Sequence, residues 1–207
     1  LALLGWGPPD DVEIRPLSEV LDVFRIEDVN KAAAFFDLKK LEHINATYLR
    51  ALPKADFVER VAPWIGEAAP WQAEKFDQAM FETMVDLIQE KLRTFSDTPR
   101  FVDFLFLDDP VDDPDSWHKA MVKGRFATEI LDGTAAAFAG CVWDAEMLKD
   151  TVMHVGEAVG LKLGKAQAPV RVAVTGRTVG PPLFETMAEC MDRAEVLRRI
   201  ARARARL

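Results

Sequence analysis

Apolar residues return every three or four positions along most of the chain, with polar residues between them, which is the spacing of helices that bury one face. Leu17, Val20, Leu21 and Phe24 open the series. Leu38, Leu41, Asn45, Tyr48, Leu49 and Leu52 share one face of a second helix, which Asp37 can cap and Pro53 ends. Phe57, Val61 and Ile65 predict a short helix after Pro53. The longest pattern, Phe76, Met80, Met84, Leu87, Ile88, Leu92 and Phe95, stops at Ser96, Asp97 and Pro99, and an Asp- and Pro-rich loop follows from Asp108 to Asp115. Further helices are predicted near Trp117 to Lys123, through Phe126, Ile130, Leu131 and Phe138, and through Met147, Thr151, Val155 and Val159, where Gly160 can terminate the last. Pro181 and Pro182 open a helix with Phe184, Met187 and Met191, and Asp192 starts the final one. Only Val170 to Val174 alternates as a strand would. The pattern therefore predicts an all-α fold with little or no strand, laid out as an elongated array of helical subdomains. Pro53 and the acidic loop are the expected boundaries.

Composition narrows the class. With 49% hydrophobic residues the chain is too apolar to stay disordered, and a length of 207 residues suffices to bury a core without staples. No run reaches the roughly 18 uncharged apolar residues of a membrane span, so no membrane partner is expected. Cys141 and Cys190 lie in apolar, helix-like contexts without Cys-x-x-Cys spacing, which predicts buried thiols in a reducing cytoplasm. Residues 1 to 8 lack a basic start and a cleavage site, so no secretory signal is expected. The first residue is Leu1, not Met, which suggests a start inside a longer protein.

Charge is unevenly spread. The net charge of −8 argues against a general coat for DNA or RNA. Yet no Asp or Glu occurs from Ala158 to Phe184, where Lys162, Lys165, Arg171 and Arg177 stand, and Arg193, Arg198, Arg199, Arg202, Arg204 and Arg206 follow. Asp103, Asp108, Asp109, Asp112, Asp113 and Asp115 form an opposite pole. A molecule basic towards its C-terminal end has the local charge for one defined polyanion.

Catalytic chemistry has no foothold. His43, His118 and His154 sit on separate predicted helices with no ligand partner at helical spacing, so no metal site is expected. Ser18, Ser96 and Ser116 have contexts of helix caps and lack a nucleophile elbow, and there is no glycine-rich phosphate loop. Residues and spacing alone leave two classes open: a polyanion-binding helical module, or a helical scaffold that binds proteins.

Two stretches carry a resemblance. Asp28-Val29-Asn30-Lys31, Phe36-Asp37-Leu38-Lys39-Lys40-Leu41 and Ile44-Asn45-Ala46-Thr47-Tyr48-Leu49-Arg50 resemble the segment after the catalytic domain of bacterial glutamyl-tRNA synthetases, preceded by Leu3-Leu4-Gly5-Trp6. Leu163-Gly164-Lys165 and the run from Pro169 through Arg171, Arg177, Gly180, Pro181, Pro182 and Leu183 to Glu185 are similar to that family's anticodon-binding end. The resemblance is colinear over essentially the whole chain. Neither the HIGH nor the KMSKS signature of the class I catalytic domain occurs, so the resemblance implies the C-terminal, anticodon-binding helical-cage region of a glutamate–tRNA ligase, catalytically inactive alone.

It implies a stem-contact region at 1–53 and two anticodon-binding subdomains at 54–112 and 113–207. The partners implied are glutamate tRNA, with glutamine tRNA as a second candidate, and the ligase's own N-terminal catalytic domain. That domain would use ATP and Mg²⁺; no cofactor is implied for this chain. Residue by residue, Arg171 falls on an anticodon-contacting arginine, and Gly180, Pro181 and Leu183 on the loop and helix start that meet anticodon bases, with Arg177 beside them. Leu183 is expected to pack on a splayed base. Lys91 and Arg93 end a helix that aligns with another reading element, where the family often has arginine at the position of Lys91; lysine lacks the bidentate fork that would tell glutamate from glutamine tRNA. Asn45 and Arg50 match the stem-contact motif. His43 and Ala46 depart from the Trp and Gly common there. The alternatives are a free-standing helical adaptor for protein partners, and a non-discriminating synthetase that also charges glutamine tRNA.

Overall fold

A computed structural model describes residues 3–30, 35–66 and 69–207; Leu1 and Lys31, both named above, lie outside them. The described residues form α-helices joined by short turns, without a strand. In chain order they are α1 (Leu17–Val23), α2 (Leu38–Ala51), α3 (Lys54–Ile65), α4 (Gln78–Ile88), α5 (Thr98–Phe106), α6 (Pro114–Trp117), α7 (Ala127–Phe138), α8 (Ala145–Ala158), α9 (Leu163–Thr175), α10 (Leu183–Cys190) and α11 (Arg193–Arg204). A π-helical turn, His118–Val122, continues α6.

Aspartate starts these helices. Side chains of Asp37, Asp77, Asp113, Asp144 and Asp192 each accept first-turn N–H groups at 2.7–3.1 Å, meeting donors that the helix itself cannot satisfy. The three serines are not caps: Ser18 and Ser116 lie inside α1 and α6, and Ser96 inside the turn Phe95–Asp97, which Thr94 caps.

Three elements differ from the sequence pattern, each for a physical reason. Val170–Val174 is helical. It lies in α9, which packs against α7, α8 and α11, and Val170, Val172, Ala173 and Val174 are all buried. A helix covered on every side loses its polar face, and its β-branched run then looks like a strand. Pro99 starts α5 instead of ending the preceding pattern, because proline in the first turn removes an N–H that would have no helical partner. And α4 stops at Ile88, passing into a 3₁₀ turn at Gln89–Lys91, where the Gln89 amide donates to the carbonyls of Leu49 and Leu52 at 2.9 and 2.8 Å.

The chain divides into two units, Leu1–Tyr48 and Leu49–Leu207. In the first, Trp6 packs on Phe24 with centroids 5.3 Å apart, Asn30 N donates to Gly5 O at 2.6 Å, and Tyr48 Oη donates to Arg15 O at 2.6 Å. Little apolar area is buried there: Leu17, Leu21, Ile26, Phe35, Leu38 and Leu41 are exposed.

The second unit holds two apolar clusters. One gathers Phe57, Val61, Phe81, Met84, Ile88 and Leu92; the other gathers Ile130, Leu131, Phe138, Leu148, Val152, Val170 and Met187. Helix α5 serves both, sending Val102 and Phe106 into the first and Phe104 into the second. Cys190 is buried in the first, and that burial pushes its thiol up to about 11; Cys141 is only half-buried, contrary to its apolar context, because it lies in the turn between α7 and α8.

The fold pairs much of the C-terminal basic charge expected from the sequence with carboxylates. Arg198 meets Asp109 and Glu195, both at 2.8 Å; Arg202 and Arg206 both reach Asp112, and Arg204 meets Asp132 at 2.9 Å. Arg206 also lies 3.8 Å over the Trp117 ring. Arg199, 2% exposed, donates to Glu195 and to the carbonyls of Val174 and Phe104, tying α11 to the last turns of α9 and α5. Arg193 donates to the carbonyls of Ala139 and Cys141. The C-terminal arginines thus hold the acidic loop down and do not form an open basic strip.

Candidate nucleic-acid interface

The loop between α9 and α10, residues 176–182, holds Arg177, Gly180 and Pro181 of the site residues expected from the sequence, with Arg171 and Leu183 on the helices that flank it. It leaves α9 through Gly176 at φ +76°, a left-handed geometry that glycine adopts without strain. A side chain there would strike the Val111 carbonyl, and the Gly176 carbonyl accepts from Asp113 N at 2.9 Å. The loop's start is therefore seated on the acidic segment.

Two arginines hold the rest of the loop. Arg177 forms a fork with Asp103, Nη1–Oδ1 at 2.7 Å and Nη2–Oδ2 at 2.6 Å, and Nη1 also donates to Arg100 O at 2.8 Å. Hydrogen bonding to Asp103 raises its pKa further, against the effect of burial. Arg171 reaches from α9 to the Pro181 carbonyl at 2.7 Å, and Gly180 lies close enough that a Cβ would stand 3.9 Å from Arg171 Nη1. Burial lowers the Arg171 pKa, with Glu185 opposing. Arg171, Gly180 and Pro181 are thus one cluster, with Arg177 two links along the same loop.

Leu183 is placed differently from the expectation. It is buried in the second cluster, so its side chain serves the core and not a splayed base. The residue before α10 is Pro182, so this helix start has no side-chain cap.

Lys91 and Arg93 are exposed, Lys91 closing the 3₁₀ turn after α4 and Arg93 just beyond it. The element is a turn and not a helix end. Arg93 N donates to Asp97 Oδ2 at 3.3 Å, and Asp97 borders the same cleft as Arg177, Thr178 and Val179, so this turn leads to the held loop. Asn45 and Arg50, both exposed, lie on α2. The histidines are exposed, and among the described residues no group of His, Cys, Asp and Glu could hold a metal ion.

Asp103 was missed by sequence reasoning. Its signal was a carboxylate within Phe101-Val102-Asp103-Phe104-Leu105-Phe106, since a charge inside an apolar run needs a buried partner.

Comparison with known proteins gives a consistent set. The family described as an anticodon binding domain matches residues 56–204. A glutamate–tRNA ligase of Thermobifida fusca is 53% identical over 206 residues, 98% of this chain and 43% of the relative. One from Salinispora tropica is 47% identical over 213 residues, 100% of this chain and 45% of the relative. The chain therefore spans less than half the length of these relatives. A crystal structure of a glutamate tRNA ligase from Elizabethkingia meningosepticum, in complex with its amino acid, shares the fold with a TM-score of 0.74 at 24% identity, over 98% of this chain and 39% of that one.

Proposed function

Because this chain belongs to the anticodon binding domain family, we propose that it is the tRNA-reading part of a glutamate–tRNA ligase, working in the cytoplasm. The observation that carries the reading is the anticodon binding domain match over residues 56–204, supported by the loop 176–182, which Arg171 and Arg177 fasten ahead of a helix start with no side-chain cap. A single-stranded anticodon loop is read by such groups, because its unstacked bases present their edges and faces to backbone donors and to arginine. The stem-contact residues Asn45 and Arg50, and Lys91 and Arg93, complete the proposed contacts.

Mechanistically the chain positions. Phosphate contacts set the register, base contacts select the tRNA, and selection raises productive delivery of the acceptor end to a distant catalytic domain. That domain, the remainder of the ligase, is proposed to use ATP and Mg²⁺ to attach glutamate; no step through either is assigned to the residues here. The exposed Leu17, Leu21, Ile26 and Phe35 support a covering partner, which we assign to that domain. Residues 1–53 are the proposed stem-contact region, and 54–112 and 113–207 the two subdomains of the reading surface. With lysine at position 91, glutamine tRNA is a second candidate partner.

The test is a titration with unmodified glutamate-tRNA and glutamine-tRNA transcripts at low and moderate salt, beside Arg171→Ala and an anticodon-mutated transcript. Affinity should fall linearly in log salt, by about 0.7–0.9 log units per log unit for each phosphate contact, and should drop with both changes. Binding that ignores salt, Arg171 and the anticodon would support the protein-adaptor class instead. Comparable affinity for both wild-type transcripts would mark a non-discriminating reader, and Lys91→Arg should then restore preference for glutamate tRNA.

A further inference from the structure

The bed under Gly176 is held from α11 and the residues after it. Residues 111–113 touch the start of the loop 176–182 twice: the Val111 carbonyl fills the space where a Cβ on Gly176 would stand, and Asp113 N donates to Gly176 O at 2.9 Å. Between these two residues, Asp112 Oδ2 accepts from Arg202 Nη2 at 3.1 Å and from Arg206 Nη1. The Asp112 side chain is 17% exposed, so water replaces a lost arginine poorly there. Arg206 also covers the Trp117 ring, and Trp117 N donates to Asp113 O at 2.9 Å. Beside Trp117, Ser116 donates its N–H to Asp113 Oδ1 at 2.8 Å, and its Oγ accepts from Thr178 N at 3.1 Å. Arg206 thus bears on the loop by two routes, through Asp112 to Gly176 and through Trp117 and Ser116 to Thr178.

Arg204 lacks both routes. It carries the same charge two residues away, with its side chain 40% exposed against 42% for Arg206, and pairs with Asp132 of α7 at 2.9 Å. The two arginines match in charge and exposure and differ in what they hold. Were the C-terminal arginines to act on RNA by attraction alone, they would be interchangeable.

We propose that Arg202 and Arg206 are positioning residues for the reading loop: by pinning Asp112 they fix residues 111–113, and so fix the backbone of Gly176 to Thr178 that rests on them. A loop whose bed is fixed has less ordering left to do when a ligand arrives. Base selection needs that order, whereas attraction to phosphates acts at longer range and tolerates a loose loop. The proposal rests on the reading that the loop 176–182 meets an anticodon, and adds two residues that act on it without touching the RNA.

The variants are Arg202→Gln, Arg206→Gln, Arg204→Gln and Asp112→Asn, made in the whole ligase of which we propose this chain is a part; thermal melts set the assay temperature well below every Tm. Affinity is measured for the glutamate-tRNA transcript and for an anticodon-mutated one, and the ratio of the two is read. Arg202→Gln and Arg206→Gln should each lower that ratio about 3- to 10-fold, and Arg204→Gln should leave it at the wild-type value. Asp112→Asn removes a negative charge, which by attraction alone would tighten both complexes; it should lower the ratio as Arg206→Gln does, and the double variant should lose less than the sum. Hydrogen exchange reads the same link without RNA: the Asp113 amide should exchange faster in Arg206→Gln and Asp112→Asn and at the wild-type rate in Arg204→Gln. An unchanged ratio or an unchanged Asp113 amide in Arg206→Gln overturns the positioning role while the RNA reading stands, and so does an equal loss in Arg204→Gln. A wild type that does not distinguish the two transcripts overturns the reading and the role together.

Discussion

Asp103 is tolerated among phenylalanines because Arg177 meets it with both guanidinium nitrogens. Both side chains are nearly closed to water, Arg177 11% and Asp103 6% exposed, so removing either leaves a charge with no partner and little solvent. Arg177→Ala or Asp103→Ala should therefore cost about 3 kcal/mol of unfolding free energy, read from urea denaturation. Replacing both by leucine should recover most of that loss, since no charge is then stranded. Arg177→Lys keeps the charge but cannot span both carboxylate oxygens, and should fall between. The same pair bears on function, because it holds the loop at Arg177 against α5. A destabilised pair should weaken RNA binding more than its own charge would explain.

At the scale of the element, Gly176 and Gly164 make a controlled comparison at the two ends of α9. Gly164 lies in the first turn with open space where a Cβ would go, so Gly164→Ala should stabilise by about 0.5 kcal/mol. Gly176→Ala meets a left-handed φ and the Val111 carbonyl together, and should cost more than about 2 kcal/mol. Differential scanning calorimetry separates them by the sign of the Tm change. Legibility followed the same logic of local against tertiary causes. Helices with one wet face, such as α3 and α8, declared themselves by period, and α11 by its Asp192 cap. Helix α9 did not, because burial on every side erased its period, and α5 was hidden by a proline whose meaning depends on which side of it the helix lies. In the site, Arg171 and the Gly180–Pro181 backbone were legible as a motif. The consumption of Arg177 by Asp103 was not, since the two are 74 residues apart in sequence. Nor was the burial of Leu183, which depends on what packs over α10.

Across the second unit, acid and base are distributed as a closure. Hydrogen bonding from Arg198 holds Asp109 and Glu195 below the usual carboxylate range, and the Ser116 N–H does the same for Asp113. A carboxylate with a lowered folded pKa binds fewer protons folded than unfolded, so its contribution is present above the unfolded value near 4 and is lost as pH falls through the folded one. Tm should therefore be level from about pH 7 to 5 and fall below about pH 4, with added salt flattening the drop for these largely exposed groups. Asp109→Asn should remove part of the slope. This closure also changes what the C-terminal arginines contribute to a nucleic-acid ligand. Asp108, Asp109 and Asp112 would meet an approaching polyanion with a patch of its own sign, on a chain whose net charge is already −8. Lys75, Arg198, Arg202 and Arg206 lie on that patch as counter-ions built into the chain. Their gift to association is an obstacle removed: the tail works as a screen that lets RNA come near, and leaves the grip to others.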